Sequence, residues 1–217
     1  MSDRRGPRLV GRGRELAQLE TGLERALAGR GGLVLLTGEP GIGKTALARE
    51  FVERAAARGA AWVWGNCWDG GGAPAYWPWV QVGRALSRRT NLEALRDTLG
   101  EAAPWIAGLL PELAVTLGAP AQPSELDSDQ ARFRLFDALA TLLGAVAEQR
   151  PLVLVLDDLH GADASSLLAL EFVARSLPDI PLLAIAAYRH AEAHARAELA
   201  APLGGLARAA TRLPLEG

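Results

Sequence analysis

Apolar side chains along this chain follow two rhythms. One is helical: Leu16, Leu19, Leu23 and Leu27 recur among Arg and Glu at the spacing of one helix face, which predicts an amphipathic helix over 14–27. The other is continuous: Leu33-Val34-Leu35-Leu36 carries no polar interruption, as a parallel strand buried on both faces requires, and Gly29, Gly31 and Gly32 separate it from the helix. The same alternation repeats downstream. A helix is predicted over 45–57, with Leu47, Phe51 and Val52 on one side and Gly59 as its stop, then a strand over 61–64 and a loop over 65–78 rich in Gly and aromatic residues. Helices are expected over 79–89, 91–99 and 102–110, with breaks at Pro111, Pro120 and Pro123. Ser124 and Ser128 are candidate starts for a helix whose stripe is Leu135, Leu139, Leu142, Leu143 and Val146, and Pro151 ends it. Leu152-Val153-Leu154-Val155-Leu156 is the clearest strand and runs into Asp157-Asp158. Asp163 reads as the N-cap of a helix over 164–176, and a fourth strand over 182–187 leads to Tyr188-Arg189.

Strands alternating with helices predict an α/β fold, a three-layer α/β/α sandwich around a central parallel sheet with right-handed crossovers. In such sheets functional residues gather at the carboxyl ends of the strands. A glycine-rich loop, Asp157 and Arg189 all stand at predicted strand ends.

The glycine-rich loop carries the strongest chemical signal. Gly38-Glu39-Pro40-Gly41-Ile42-Gly43-Lys44-Thr45 fits the pattern G-x-x-x-x-G-K-[ST], between a predicted strand and a predicted helix. Glycines let successive backbone N–H groups turn inward around a phosphate, and the helix that follows adds the positive end of its dipole. Lys44 is expected to bridge the β- and γ-phosphates of ATP, and the Thr45 hydroxyl to ligate Mg²⁺, with residues 38–45 and Ala46 forming the cradle. Asp157, at the tip of an apolar strand, is the expected second Mg²⁺ ligand through a metal-bound water. Asp158 is placed to polarise an attacking water, one methylene shorter than glutamate, which predicts slow hydrolysis. Arg189 is a candidate sensor of the γ-phosphate. His160, His190 and His194 read as surface or helix-cap residues, with His160 the best catalytic candidate of the three. The six tryptophans read mostly as packing residues and Cys67 as a small buried side chain.

Composition sharpens this reading. Of 23 basic side chains only one, Lys44, is lysine. An ammonium is a compact point charge suited to a phosphate nest, where a guanidinium is a broad fork. The absence of any other lysine excludes a guanine reader of the N-K-x-D type. With 217 residues, 49% of them hydrophobic, the chain can bury a large core. A net charge of −2 and a pI near 6.0 supply no general field for nucleic acid or an anionic membrane. One cysteine, no apolar leader at residues 1–7 and no aliphatic run of bilayer length predict a soluble, cytoplasmic protein.

Together these segments resemble the ATPase domain of STAND NTPases, particularly that of large bacterial LuxR-type transcriptional regulators and their relatives. Leu9-Val10-Gly11-Arg12-Gly13-Arg14-Glu15-Leu16 is similar to the family's opening box, which implies that Val10, Gly11 and Arg12 lie at the adenine end of the nucleotide. The P-loop follows at the family's spacing, Leu154 to Asp163 resembles its Walker B block, and Ala186-Ala187-Tyr188-Arg189 resembles its sensor strand. Ala73-Pro74-Ala75-Tyr76 is also similar to family members. Gly13 stands where the box usually has glutamate, and Gly161 where tryptophan commonly follows the histidine. The resemblance implies that residues 1–217 are the ATPase core, that the segment near 213–217 approaches a helical lid, and that lid, winged-helix and output domains lie outside it. It also implies a regulatory ATP/ADP switch that self-associates when ATP is bound. The alternative is a P-loop kinase transferring the γ-phosphate to a small molecule. An ABC-type transporter would need a second glycine-rich signature, which Leu142-Leu143-Gly144-Ala145 does not supply.

Overall fold

The computed structural model describes residues 11–68, 72–119, 128–189, 192 and 196–217. Its apolar runs become the strands β1 (Gly32–Thr37), β2 (Ala61–Asn66), β3 (Leu152–Asp157) and β4 (Leu182–Tyr188), joined by a short β5 (Thr211–Pro214). They form one sheet in the order β2-β3-β4-β1-β5, and every neighbouring pair is parallel. The helices are α1 (Gly13–Leu27), α2 (Lys44–Ala57), α3 (Trp77–Ser87), α4 (Leu92–Leu99), α5 (Ala103–Leu109), α6 (Asp129–Gln149), α7 (Ala164–Ser176) and α8 (Ala197–Ala209).

Side-chain alternation along the strands sends residues to two separate cores. Val34, Leu36, Val153, Val155, Leu183, Ile185 and Ala187 pack against α1 and α2. Leu33, Leu35, Leu152, Leu154, Leu156, Leu182, Ala184 and Ala186 face the layer made by α3 to α8. Both faces are therefore dry, which is why β3 and β4 are buried at every position and read as uninterrupted apolar runs. The three-layer α/β/α sandwich follows directly.

Helix ends obey the capping signals. Gly29 takes φ 82° after α1, and the Arg30 N–H donates to Arg25 O at 2.9 Å, closing a Schellman-type end. Ser128 Oγ accepts from the Ala131 N–H at 3.1 Å and starts α6; Ser124, Pro120 and Pro123 lie outside the described residues. Two expectations need correction. The loop after β2 is shorter than predicted, because α3 begins at Trp77 and Pro78 sits in its first turn, where a missing N–H costs nothing. The sheet has five strands rather than four, since α8 and β5 were not predicted. Among the described residues, no helix is long and apolar enough to cross a membrane.

Candidate functional site

Chain direction and strand order bring the ends of β1, β3 and β4 side by side, and each end carries one of the predicted polar groups. Between β1 and α2 the backbone turns through Gly41 at φ 76° and Gly43 at φ 100°, angles that L side chains resist. Gly43 is the N-cap of α2 and offers no side-chain acceptor, so the first N–H groups of α2 stay directed into the loop as an anion site. Glu39, Pro40 and Gly41 are exposed, which leaves the cradle open to solute.

Lys44 is only 6% exposed, and its Nζ donates to the carbonyl oxygens of Gly38 at 2.7 Å and Glu39 at 3.0 Å. Burial lowers its pKa, and the Arg189 charge adds to that, while Asp158, Asp157 and Glu192 oppose it. These five charged groups therefore share one electrostatic neighbourhood, although they lie up to 148 residues apart in sequence, from Lys44 to Glu192.

Asp157 closes β3 with 3% exposure. Burial raises its pKa, and a hydrogen bond with the Thr45 side chain works against that rise. Its Oδ1 accepts from the Asp158 N–H at 3.0 Å, and its carbonyl accepts from the Cys67 N–H at 3.0 Å. Asp158 itself adopts φ 55°, ψ 42°, a left-handed conformation uncommon for a residue other than glycine and concentrated at functional sites. That turn leaves its side chain 43% exposed, 3.9 Å from His160 Nε2.

Arg189, one residue past β4, gives Nη1 to both oxygens of Glu192 at 2.9 and 3.2 Å. At the other side of the loop Arg12 donates to Ile42 O at 3.2 Å and pairs with Glu15 at 2.9 Å, which fixes the opening box against the P-loop. Gly11 is exposed at φ 78°; Val10 lies outside the described residues. Ala46 lies in the first turn of α2.

Several neighbours were not legible as site residues. His160, expected at the surface or at a helix cap, is instead 2% exposed, with Nε2 3.2 Å from Glu192 Oε2. Glu192 stands three residues after Arg189, an ion-pair spacing that was the one available signal. Arg196 donates to His160 O at 2.8 Å and Ala162 O at 3.1 Å, across more than thirty residues and with no local pattern to announce it. Asp163 caps α7 through the Ser166 N–H at 2.9 Å and also accepts from the Tyr76 N–H at 3.3 Å. His190 and His194 lie outside the described residues. Cys67 is buried, and burial pushes its thiol far up, so it is an inert packing group. Trp79 is fully buried, but Trp68 is 59% exposed and departs from the packing role expected of the tryptophans. The arrangement can hold a polyphosphate: backbone donors and an ammonium at β1, carboxylates at β3 and a guanidinium at β4 converge on one edge.

Comparison with known proteins agrees with that geometry. The family model of the AAA ATPase domain matches residues 8–185. An uncharacterized protein of Rhizobium meliloti (strain 1021) is 28% identical over 195 residues, covering 86% of this chain and 19% of that protein. The chain thus spans about a fifth of that relative's length. Among solved structures, the Aeropyrum pernix ORC1 protein in complex with DNA is similar at a TM-score of 0.50 and 16% identity, over 96% of this chain and 46% of that one. A chain of the Drosophila ORC structure bound to AT-rich DNA and Cdc6 gives 0.49 and 13%, over 93% and 53%. Likeness at such identity speaks for the fold. The match across residues 8–185 decides the family: this chain belongs to the AAA ATPase domain family, which implies nucleotide binding and hydrolysis.

Proposed function

We propose that this chain binds Mg·ATP at residues 38–46 and hydrolyses it slowly, as the nucleotide-dependent switch of a bacterial transcriptional or signalling regulator. The observation that carries the reading is the shared neighbourhood of Lys44, Asp157, Asp158 and Arg189 at one end of the sheet. Lys44 exchanges its two carbonyl partners for phosphate oxygens, and the N–H groups at the start of α2 bind the same anion. Arg12, tied to Ile42, borders the adenine end together with Val10 and Gly11.

Thr45 and Asp157 fit a magnesium ion: both offer hard oxygen donors, they are already hydrogen-bonded to each other, and Asp157 is buried beside the phosphate cradle. When bound, Mg²⁺ would neutralise charge on the phosphate oxygens. Among the described residues no cluster of three or more His, Cys, Asp or Glu could hold a metal by itself, in keeping with an ion that takes most ligands from nucleotide and water.

Asp158 accepts a proton from the attacking water, and Arg189 contacts the γ-phosphate and registers its presence. The short reach of Asp158 supports slow turnover, the property a timed switch needs. ATP favours a self-associating arrangement, and hydrolysis to ADP reverses it. Signal-sensing and output parts belong, in this reading, to the remainder of a longer protein, in line with the 19% share of the Rhizobium relative.

Lys44→Ala is expected to abolish ATP binding in a labelled-nucleotide titration; retained affinity would contradict the phosphate contact. Asp158→Asn is expected to keep binding and lose turnover, and an unchanged rate would put the water elsewhere. Following labelled γ-phosphate across metabolite pools separates switch from kinase, since transfer to an acceptor faster than to water would overturn the switch.

A further inference from the structure

Glu192 lies outside the motifs that define the site, yet it touches two of their members at once. Its carboxylate accepts from Arg189 Nη1 through both oxygens, at 2.9 and 3.2 Å, and its Oε2 lies 3.2 Å from Nε2 of the buried His160. The Arg189 hydrogen bond holds the Glu192 carboxyl below the usual carboxylate range. Without a bound phosphate, Lys44 and Arg189 are two cations acting on each other, and Glu192 is one of the anions that offset them.

A triphosphate reverses that balance. Its terminal phosphate needs the Arg189 guanidinium, and Glu192 then becomes a like charge beside it. Arg189 and Glu192 are 35% and 39% exposed, so the pair is solvent-screened and loosely held, the kind of contact an incoming phosphate dianion displaces. His160 lies on the other side of the same carboxylate and retains it. The His160 imidazole also stands 3.9 Å from Asp158 Oδ1, and its backbone carbonyl, with that of Ala162, holds Arg196 at the foot of α8.

We propose that Glu192 is a positioning residue that restrains Arg189 until a γ-phosphate takes the guanidinium, and that it then passes to His160, transmitting nucleotide state to the 159–163 turn and, through Arg196, to α8. This rests on the reading of Arg189 as the γ-phosphate sensor. It assigns Glu192 a competing role: the residue disfavours ATP relative to ADP in the resting site.

The test is the ratio of ATP to ADP affinity, measured by calorimetry with Mg²⁺ on the full chain. Glu192→Gln keeps the size of the side chain and removes the charge; it is expected to raise the ratio about three- to tenfold, a change typical of one exposed charge contact to a phosphate. Arg189→Ala is expected to lower the ratio, and in the double variant the Glu192→Gln effect is expected to vanish. An unchanged ratio in Glu192→Gln, with Arg189→Ala still lowering it, overturns the proposal and leaves the sensor reading intact. The same Glu192 effect with and without Arg189 also overturns it, since the charge would then act on the site at large. If Arg189→Ala leaves the ratio unchanged, the sensor reading and this proposal fall together. A second readout follows the imidazole. The ¹⁵N resonances of His160 are expected to differ between the ADP and ATP complexes and to stop differing in Glu192→Gln; identical spectra in the two wild-type complexes overturn the relay.

Discussion

Three glycines show how differently one residue type is constrained in this chain. A Cβ on Gly31 would collide with the carbonyl oxygens of Leu182, Ile180 and Leu177, so glycine here lets the chain entering β1 lie against the 3₁₀ turn Leu177–Asp179 and the start of β4. Gly41 has open space around it but sits at φ 76°. Gly38 is limited by both, with φ 154° and the Leu215 carbonyl 2.8 Å from where a Cβ would stand. Gly31→Ala is expected to cost about 1–3 kcal/mol of stability in urea unfolding while the folded fraction keeps its nucleotide affinity, because the clash is with backbone far from the cradle. Gly41→Ala is expected to cost less, about 1–2 kcal/mol, but to weaken nucleotide binding. Equal losses of stability with no difference in binding would contradict this division. The sequence revealed Gly38, Gly41 and Gly43 as phosphate-loop glycines through their spacing. Gly31 read only as a helix stop, since the atoms that exclude a side chain there lie about 150 residues further on.

Among elements, α7 shows how a local signal acquires a distant function. Asp163 was recognisable as an N-cap, and its Oδ1 accepts from the Ser166 N–H as that role requires. Its other oxygen accepts from the Tyr76 N–H, where the chain passes through φ 62° before entering α3. Trp79 of α3 returns the contact by donating Nε1 to Ser166 O at 3.0 Å. One carboxylate thus joins the start of α7, beside Asp158, to the start of α3. Asp163→Ala is expected to cost about 1–2 kcal/mol, and Asp163→Asn, which preserves the capping oxygen, clearly less. Urea midpoints for the two variants check this, and equal losses would mean that charge rather than capping matters. Long apolar strands and striped helices were legible because each is a strong periodic signal over many residues. β5 was missed for the opposite reason: it has four residues, of which Leu213 alone is buried, and an edge position supplies no apolar run. α8 was obscured by the internal Pro202 and by glycines at 204 and 205.

Across the molecule, β3, β4 and β1 are paired on both sides, whereas β2 and β5 form the edges. Amide exchange is expected to be slowest in β3, β4 and β1 and fastest among strands in β5; protection of β5 equal to that of β4 would contradict this order. Alternation of strand and helix made the three layers legible in advance, and motif spacing made the phosphate loop legible with them. The carboxylate and imidazole around Arg189 were not, since they meet only when the ends of β3 and β4 lie side by side. The single lysine has a consequence for reactivity. Lys44 is the only side-chain amine among 217 residues, and burial draws its pKa below the ordinary lysine value, which increases the share of nucleophilic amine. An amine-selective acylating reagent therefore has one side-chain target among these 217 residues, the α-amine apart. Nucleotide in the cradle is expected to shield it, so the mass added at Lys44 counts empty sites in the unaltered protein.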